Sequence, residues 1–554
     1  MWFESDGVID LFKEYFPYYL VIVLPIFIII SPVNPVQAAH EFPAYRMQQY
    51  DLHGVPHGCR YSPVNLEARS LSGWSTTRHC VVTRLEDLTY DQFKEIHAKA
   101  GALLVILPQN IANLENDAKE QILQLEEVMM KQEVLIPVYF AEWSQELDNI
   151  VNDLSHSYVP EDHSNSALQV LFSCISANGY QIVIGTNQAT AKQDINVATI
   201  QGKLSGYGVE EKLPTIALVA HYDSFGVAPE LSFGADSNGS GVAMLLELAR
   251  LFSHLYSNTS THAHYNLIFL LTGAGKLNYL GSKKWLEDQL DGLESSVVQD
   301  AAYVLCLDSV SSCGTLHLHV SKPPRDGTPG SVLFKELKAV ASSFQPEVNV
   351  EGMHKKINLA DDVLAWEHER FSIRRLPAFT LSSIKSHRDS LRSSILDIQG
   401  QLKENCLIRN TQILAESLAR HIFNLTVGEI FSDNLGVEEE SMQAWLDFLT
   451  SQPRSAQLLA QKPSPFISSL RDTMARYLKE VKISYQSPDK RDPEFIFYDI
   501  TKAPVNVYRV KPAVFDLFLT IGIVLYLGAI YFIIQKFPAA YNLVAGFIKI
   551  PKRH

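Results

Sequence analysis

The chain has 554 residues, a mass of 62.2 kDa and a formal charge of −14, with 46% hydrophobic and 19% charged residues. This length exceeds what one ordinary hydrophobic core supports, so we expect one large domain or two lobes with accessory segments. The acidic balance and the lack of a long Lys/Arg run exclude broad nucleic-acid binding. A mean hydropathy near zero is typical of a soluble enzyme, but the average conceals two strongly apolar blocks near the chain ends.

The first apolar block, Leu20–Ile30, has the length of a signal-peptide core and is too short to span a bilayer comfortably. Small residues follow it, and we expect signal peptidase to cleave after Ala38 or Ala39, so that residues 1–38 form a signal peptide. The stretch before the block is more acidic than basic, whereas signal peptides usually begin with basic residues. An anchor that stays uncleaved therefore remains the alternative.

Residues 39–165 are predicted to form a small α/β lobe. Two apolar strand candidates, Ala102–Leu107 and Val134–Phe140, flank a polar stretch rich in Glu, Gln and Lys. A strand, a helix and a second strand in this order are typical of an α/β unit. The lobe is expected to end near Ser164–Ser166.

A second series of apolar strands follows in residues 166–430, with helical patterns such as Val242–Phe252 between them. The pattern predicts an α/β fold with a mostly parallel sheet flanked by helices, because strands covered on both faces are apolar throughout. The strand candidates are Gln181–Ile184, Ile216–Ala220, Asn266–Leu271, Tyr303–Leu307 and Ala378–Leu381.

Small and polar residues follow four of these strands, and ligands bind beyond the carboxyl ends of the strands in such sheets. His221 follows the second strand, and a glycine-rich turn, Gly234–Gly241, opens the next helix. Lys276, Asp308 and His387 come shortly after the third, fourth and fifth strands. A lone His or Asp is usually structural, but two His and one Asp at three strand ends predict a shared site.

The six cysteines include no CxxC pair and no Cys/His cluster that would suggest zinc. One or two disulfides are expected in an oxidising lumen, whereas Cys306 lies in an apolar strand pattern and is predicted to be a buried thiol. The other cysteines are Cys59, Cys80, Cys174, Cys313 and Cys406. Sequons at Asn238, Asn258 and Asn424 are candidates for glycosylation.

Residues 431–511 are predicted to form a membrane-proximal helical stalk. The apolar patterns of Met442–Leu449 and Ser468–Val481 indicate amphipathic helices. Their apolar faces either pack on the lumenal domain or dock partner subunits.

The second apolar block, Leu517–Ile534, matches the length of a bilayer span. We therefore place one C-terminal transmembrane helix at residues 512–535 and a cytosolic tail at residues 536–554. The signal peptide sets this orientation, because it directs the large middle region into the lumen.

The segments His221–Ser224 and Gly234–Arg250 resemble the zinc aminopeptidase superfamily, which includes glutaminyl cyclases, transferrin-receptor-like proteins and the nicastrin ectodomain. The resemblance covers about residues 181–424. Within that superfamily the whole chain looks most like the nicalin family of signal-bearing, single-span membrane proteins. The apolar C-terminal block and the stretch Arg491–Tyr498 before it are part of this match.

Active members of the superfamily hold two zinc ions with a bridging carboxylate, and a neighbouring Glu takes a proton from the bound water. The resemblance implies that His221, Asp308 and His387 match metal ligands. Asp223 matches the residue that orients His221. The bridging Asp falls at position 237, where the chain has Ser237.

The catalytic and metal-binding glutamates of the superfamily fall at positions 275 and 276. Gly275 supplies no base, and the ammonium of Lys276 would repel a dication. We therefore expect a pseudo-peptidase without metal or other cofactor, in which Lys276 pairs with Asp308 or Asp236. The alternative that a local shift of the chain lets Asp236 act as the bridging carboxylate stays open.

The resemblance to the nicalin family implies a non-catalytic lumenal scaffold subunit in the endoplasmic reticulum membrane. The implied partners are the Nodal modulator protein, a small multi-span membrane protein, the ribosome-associated translocon that inserts multi-pass membrane proteins, and membrane lipid. The family is also linked to restraint of Nodal signalling. Two alternatives remain: a zinc-dependent aminopeptidase with an altered active site, and a lumenal peptide-binding receptor.

Overall fold

The computed structural model describes residues 40–536 except 157–178, 193–194, 210–211, 292–297, 299–300, 427, 433–434, 461–463, 488–493, 511–516, 518–519 and 533. The predicted signal peptide, its cleavage site, Cys174, the lobe end near Ser164–Ser166 and residues 537–554 of the predicted tail lie outside the described residues.

Within these residues the strands are numbered in chain order. They are β1 His40–Arg46, β2 Gln49–Leu52, β3 Val55–Cys59, β4 Val64–Arg69, β5 His79–Arg84, β6 Ala102–Ile106, β7 Glu133–Val134, β8 Val138–Ala141, β9 Gly179–Ile184, β10 Ala191–Lys192, β11 Val197–Leu204, β12 Thr215–His221, β13 Asn266–Thr272, β14 Ala301–Leu307, β15 Leu316–Val320, β16 Val350–His354, β17 Ala378–Ser382, β18 Lys479–Gln486, β19 Phe495–Tyr498 and β20 Lys502–Val510.

The α-helices of the described residues are numbered in the same way. They are α1 Tyr90–Lys99, α2 Asn116–Lys131, α3 Gln145–His156, α4 Gly241–Ser257, α5 Leu280–Asp291, α6 Pro329–Ser343, α7 His368–Ile373, α8 Glu404–Phe423, α9 Glu439–Thr450, α10 Ala456–Leu459 and α11 Pro465–Tyr477.

The main sheet has eight strands in the order β16-β15-β17-β14-β12-β13-β11-β18. Strands β17, β14, β12 and β13 run parallel at its centre. Strand β15 pairs antiparallel with β17, and β11 pairs antiparallel with both β13 and β18. The predicted α/β fold with parallel central strands is confirmed, and antiparallel strands extend the sheet on both sides.

Alternate residues of β12 pack on opposite faces of the main sheet. Ile216 and Leu218 join the core formed with α4 and α8. Ala217 and Val219 pack in a second cluster with Trp285 of α5. Because helices cover both faces, residues 216–220 of this strand are all apolar, and the polar His221 lies at its carboxyl end.

The small lobe is a closed barrel with the strand order β1-β20-β9-β4-β5-β6-β8. The prediction that residues 39–165 form this lobe alone is wrong, because β9 and β20 complete it. Gln181–Ile184 was expected in the main sheet, but it lies in β9, between β20 and β4. Closure of the barrel pairs strand edges that would otherwise be exposed. A separate five-stranded sheet has the strand order β10-β19-β2-β3-β7.

The two helices predicted in residues 431–511 are confirmed as α9 and α11, but a separate helical stalk is wrong, because β18, β19 and β20 follow α11. Helices α9 and α11 pack into the main core through residues such as Leu446 and Leu470. Val481, expected on a helix face, lies in β18, which pairs with β11. The apolar residues Val481, Ile483 and Tyr485 recur at every second position, and this period specifies a strand rather than a helix.

The predicted transmembrane helix at residues 512–535 lies partly outside the described residues. In the part of the chain that the structure describes, no helix is both long and apolar enough to cross a membrane.

A disulfide joins Cys313, in the loop between β14 and β15, to Cys406 in the first turn of α8. Cys59, Cys80 and Cys306 are free and buried, as predicted for Cys306. The bond therefore ties a loop at the carboxyl edge of the main sheet to a helix that covers the sheet.

Replacing both Cys313 and Cys406 by Ala should destabilise the full chain by about 2–5 kcal/mol, because the bond closes a loop across 93 residues. Thermal unfolding of the detergent-purified protein, with and without reductant, measures the effect. Reductant should lower the Tm of the natural chain and leave that of the double variant unchanged. A natural chain that is insensitive to reductant would contradict the prediction.

Candidate functional site

Four distinctive side chains meet at the carboxyl edge of the main sheet. His221 ends β12, Asp308 directly follows β14, and Lys276 lies four residues after β13. Ser237 comes from the turn before α4. Since β12, β13 and β14 run parallel, their ends bring these groups to one place.

The ammonium of Lys276 contacts Ser237. Its Nζ donates to Ser237 Oγ at 2.5 Å, and this Oγ lies 3.5 Å from Oδ1 of Asp308. Burial and the charge of Arg392 lower the pKa of Lys276 to about 8, against the opposing effect of Asp308 and Asp223. The predicted direct pair of Lys276 with an aspartate is thus replaced by a contact through a serine hydroxyl.

Arg392, which the sequence analysis missed, is the direct partner of Asp308. Its Nη2 donates to Asp308 Oδ2, and its Nη1 donates to the carbonyl of His387 at 3.0 Å. The guanidinium also lies 4.5 Å from the ring centroid of Trp366. Burial alone would raise the pKa of Asp308, but the charges of Arg392, Lys276 and His221 hold it well below its usual value.

The ring of His221 fills the space that a side chain at position 275 would need. A Cβ on Gly275 would lie 2.2 Å from Cγ of His221. The Nδ1 atom lies 3.4 Å from both Oε2 of Glu367 and Nδ2 of Asn238. Its buried Nε2 has no hydrogen-bond partner among the described residues. The present position of His221 therefore leaves no room for a glutamate at 275.

Asp223 does not orient His221, contrary to the resemblance. Its carboxylate accepts hydrogen bonds from the backbone N–H groups of Gly275 at 2.6 Å and Lys276 at 3.2 Å. Burial raises the pKa of Asp223, and the charge of His221 and these hydrogen bonds oppose the rise. Asp223 therefore positions the turn that carries Lys276.

Asp236 is not a bridging carboxylate in this structure. Its Oδ1 accepts from Ser240 Oγ at 2.7 Å and from the N–H of Ser311 at 3.1 Å. Asp397, also missed from the sequence, accepts from the N–H groups of Asp236 and Ser237 at 2.7 and 2.8 Å. Burial and the charge of Asp236 raise the pKa of Asp397 to about 6. These hydrogen bonds fix the turn that contains Asp236. Asp236 is therefore not shifted into the position of a bridging carboxylate, and it does not pair with Lys276.

A buried arginine fixes the same turn from its other side. Arg454, between α9 and α10, donates to the carbonyls of Tyr222 at 2.7 Å and Phe233 at 2.9 Å, and also to that of Gly234. Gly234 has a φ of +63°, and a Cβ there would lie 2.6 Å from Cβ of Ser224. A residue far along the chain thereby sets the backbone from which Ser237 projects.

His387 lies beside the site but not in a shared ligand group. Its pKa is lowered to about 4, by burial and by the charges of Lys355 and Arg392. In the described residues, no group of three or more His, Cys, Asp or Glu side chains is arranged to hold a metal ion. The guanidinium of Arg392 binds Asp308, and the ammonium of Lys276 binds Ser237. Because these cations would repel metal ions, the residues present do not fit two zinc ions.

Two cavities flank these residues, on the side where α2 of the barrel lobe approaches the main sheet. We call the first, of about 610 Å³, the lysine cavity; its lining includes Leu123, Met130, Lys276, Val363, His387 and Arg392. We call the second, of about 490 Å³, the serine cavity; its lining includes Asp236, Ser237, Ser309, Ser311, Ser383 and Asp397. Both volumes are within the range of small-molecule sites.

The glycosylation candidates differ in exposure. Asn238 is wholly buried, and its Nδ2 donates to the carbonyls of His221 at 3.1 Å and Leu307 at 2.8 Å. The folded protein has no room for a glycan there, so this prediction is wrong. Asn258 and Asn424 are exposed.

Comparison with known proteins gives matches along most of the chain. The profile of peptidase family M28 matches residues 197–390. The chain is 49% identical over 541 residues to "BOS complex subunit NCLN" of Homo sapiens, covering 96% of this chain and 94% of that protein. It is 31% identical over 556 residues to "Nicalin" of Caenorhabditis elegans, covering 96% of each.

Among solved structures, the gamma-secretase component nicastrin aligns with a TM-score of 0.58 and 11% identity. The alignment covers 86% of this chain and 100% of that one. This likeness concerns the fold alone.

Replacing Arg392 and Lys276 by Met in separate variants should have different effects on stability. Arg392→Met leaves the buried carboxylate of Asp308 without its partner and should cost about 3–5 kcal/mol. Lys276→Met removes a desolvated ammonium while Arg392 keeps its pair, so stability should stay unchanged or rise by up to about 2 kcal/mol. Denaturant unfolding of both purified variants measures the difference, and equal losses would contradict it.

Proposed function

The chain belongs to the nicalin family, and from this membership we propose that it is a non-catalytic lumenal scaffold subunit of an endoplasmic reticulum membrane complex. Its partners in this proposal are the Nodal modulator protein and a small multi-span membrane protein. The complex acts with the ribosome-associated translocon in the insertion of multi-pass membrane proteins, and it restrains Nodal signalling. Vertebrate relatives are named as subunits of a BOS complex, and this supports a role in an assembly.

The observation that carries the non-catalytic role is the pair of cations at the edge of the main sheet. A two-zinc peptidase needs free carboxylates to hold its metals and a base to take a proton from water. Here the guanidinium of Arg392 binds the carboxylate of Asp308, and the ammonium of Lys276 donates a hydrogen bond to Ser237. The ring of His221 fills the space at Gly275. The retained residues therefore hold one another instead of a metal.

The proposed topology is a cleaved signal peptide at residues 1–38, one anchor at residues 512–535 and a cytosolic tail at residues 536–554. Strand β1 pairs antiparallel with β20, with His40 opposite Val507. Both the start of the mature chain and the approach to the anchor therefore leave the same end of the barrel. Residues 520–532 are helical with exposed apolar side chains, which supports an anchor there.

Affinity purification of the full chain from gently solubilised membranes tests the scaffold role. Membrane subunits and ribosomal proteins should co-purify with the natural chain and, since the site is not catalytic, equally with Lys276→Met. A chain that ends at residue 511 should lose the membrane subunits if they dock on the anchor. Recovery of the same proteins with an unrelated single-span membrane protein would contradict the proposal.

A metal and activity assay tests the altered-site aminopeptidase. The purified full chain should hold far less than one zinc per chain and should show no chelator-sensitive release from aminoacyl substrates in added zinc. Turnover that His221→Ala abolishes would favour the enzyme instead. Restoring glutamate at position 275 is unsuitable for this test, because its Cβ would overlap the ring of His221.

A further inference from the structure

The lysine cavity is lined by both charged and apolar side chains. Lys276 and Arg392 line it together with Leu123 and Met130 of α2 and with Val363. A site of this composition suits a ligand that has a polar end and an apolar body.

Lys276 has unused hydrogen-bonding capacity, whereas Arg392 has only its buried Nε without a hydrogen-bond partner among the described residues. The guanidinium of Arg392 is engaged by Asp308, the hydroxyl of Tyr279 and the carbonyls of Ala365 and His387. A lysine ammonium carries three donor hydrogens, and Ser237 Oγ accounts for one of them. Buried donors without acceptors are unfavourable, so an added acceptor in this cavity would stabilise the ammonium.

The acidic residues around the lysine cavity are already engaged. Glu126 accepts from Ser394 and from the N–H of Ile395, and burial raises the pKa of Glu126 to about 7. Glu127 pairs with Lys131 on the same helix. Asp389 accepts from the N–H of Leu391.

The charge of Lys276 is therefore only partly compensated by the protein. Burial and the charge of Arg392 outweigh the neighbouring carboxylates and depress the pKa of Lys276 to about 8. A further negative charge inside the cavity would oppose that shift and stabilise the ammonium.

We propose that the lysine cavity binds a carboxylate attached to an apolar group, with the ammonium of Lys276 as the counter-charge. The ammonium of Lys276 with apolar residues beside it suits a singly charged carboxylate. The other cations that line the cavity are Arg392, which binds Asp308, Lys131, which pairs with Glu127, and the exposed Arg388. The carboxylate comes either from the C-terminus of a peptide or from a free organic acid. This binding is independent of the scaffold role, because it requires neither the anchor nor a partner subunit.

Binding of matched acids and amides to the purified full chain in an uncharged detergent tests the proposal. The peptide probe is leucyl-phenylalanine with a dye on its amino group, compared with its C-terminal amide by fluorescence anisotropy. The free acid should bind about tenfold more tightly than the amide, the effect expected for a charge-assisted contact. Hexanoate and hexanamide are then added as competitors.

The competition experiment separates the two sources of the carboxylate. Displacement of the peptide by hexanoate but not hexanamide identifies free acids as ligands, and resistance to both identifies peptide ends. Each result supports carboxylate binding. Equal affinity of the peptide acid and amide, or no binding of either peptide together with none of hexanoate, overturns the proposal even without a variant.

A pair of lysine variants places the binding at the proposed cavity. Lys276→Met should reduce the affinity for the acid about tenfold, to that for the amide. Lys335→Met is the matched control, because Lys335 is exposed on α6, pairs with Asp326 and does not line the cavity. Unchanged acid binding by a folded Lys276→Met variant would overturn the assignment.

Discussion

The ion pair between Arg392 and Asp308 is the contact on which the carboxyl edge of the main sheet depends. Both groups are largely buried, and the guanidinium stacks on Trp366 while it holds the carboxylate. A buried carboxylate without a partner is strongly unfavourable, so Asp308 needs a cation beside it in the folded protein. Arg392 supplies that cation, and Lys276 and His221 lie around the ion pair.

The segment that carries Arg392 also joins the two lobes. Ser394 and Ile395 hydrogen-bond to Glu126 on α2 of the barrel lobe. Asp397 holds the backbone of the turn that contains Ser237. A few consecutive residues thus connect the barrel, the main sheet and the turn before α4, and the two cavities lie along this segment. The same segment therefore holds the barrel lobe against the main sheet and shapes the site.

Much of this site follows from local sequence patterns. The resemblance to the zinc aminopeptidases directs attention to Ser237, Gly275 and Lys276, and the parallel strands bring these positions together. The resemblance says nothing about their partners. The pairing of Lys276 with a serine rather than an aspartate depends on Arg392, which lies in a single short helical turn, Ser390–Ser393, too short for a periodic pattern. Asn238 shows the same limit, because a sequon does not reveal that its side chain is buried.

The sequence by itself determined the apolar strands, their order along the chain and the chemistry at their carboxyl ends, since these depend on periodicity and residue type over short stretches. The tertiary structure decided which strands share a sheet and which charges meet. Strand β9 lies in the barrel, paired with β4 and β20. Residues expected in a helical stalk supply β18 to the main sheet, β19 to the five-stranded sheet and β20 to the barrel. Arg392 and Asp308 are 84 residues apart, and only packing of the intervening chain could bring them together.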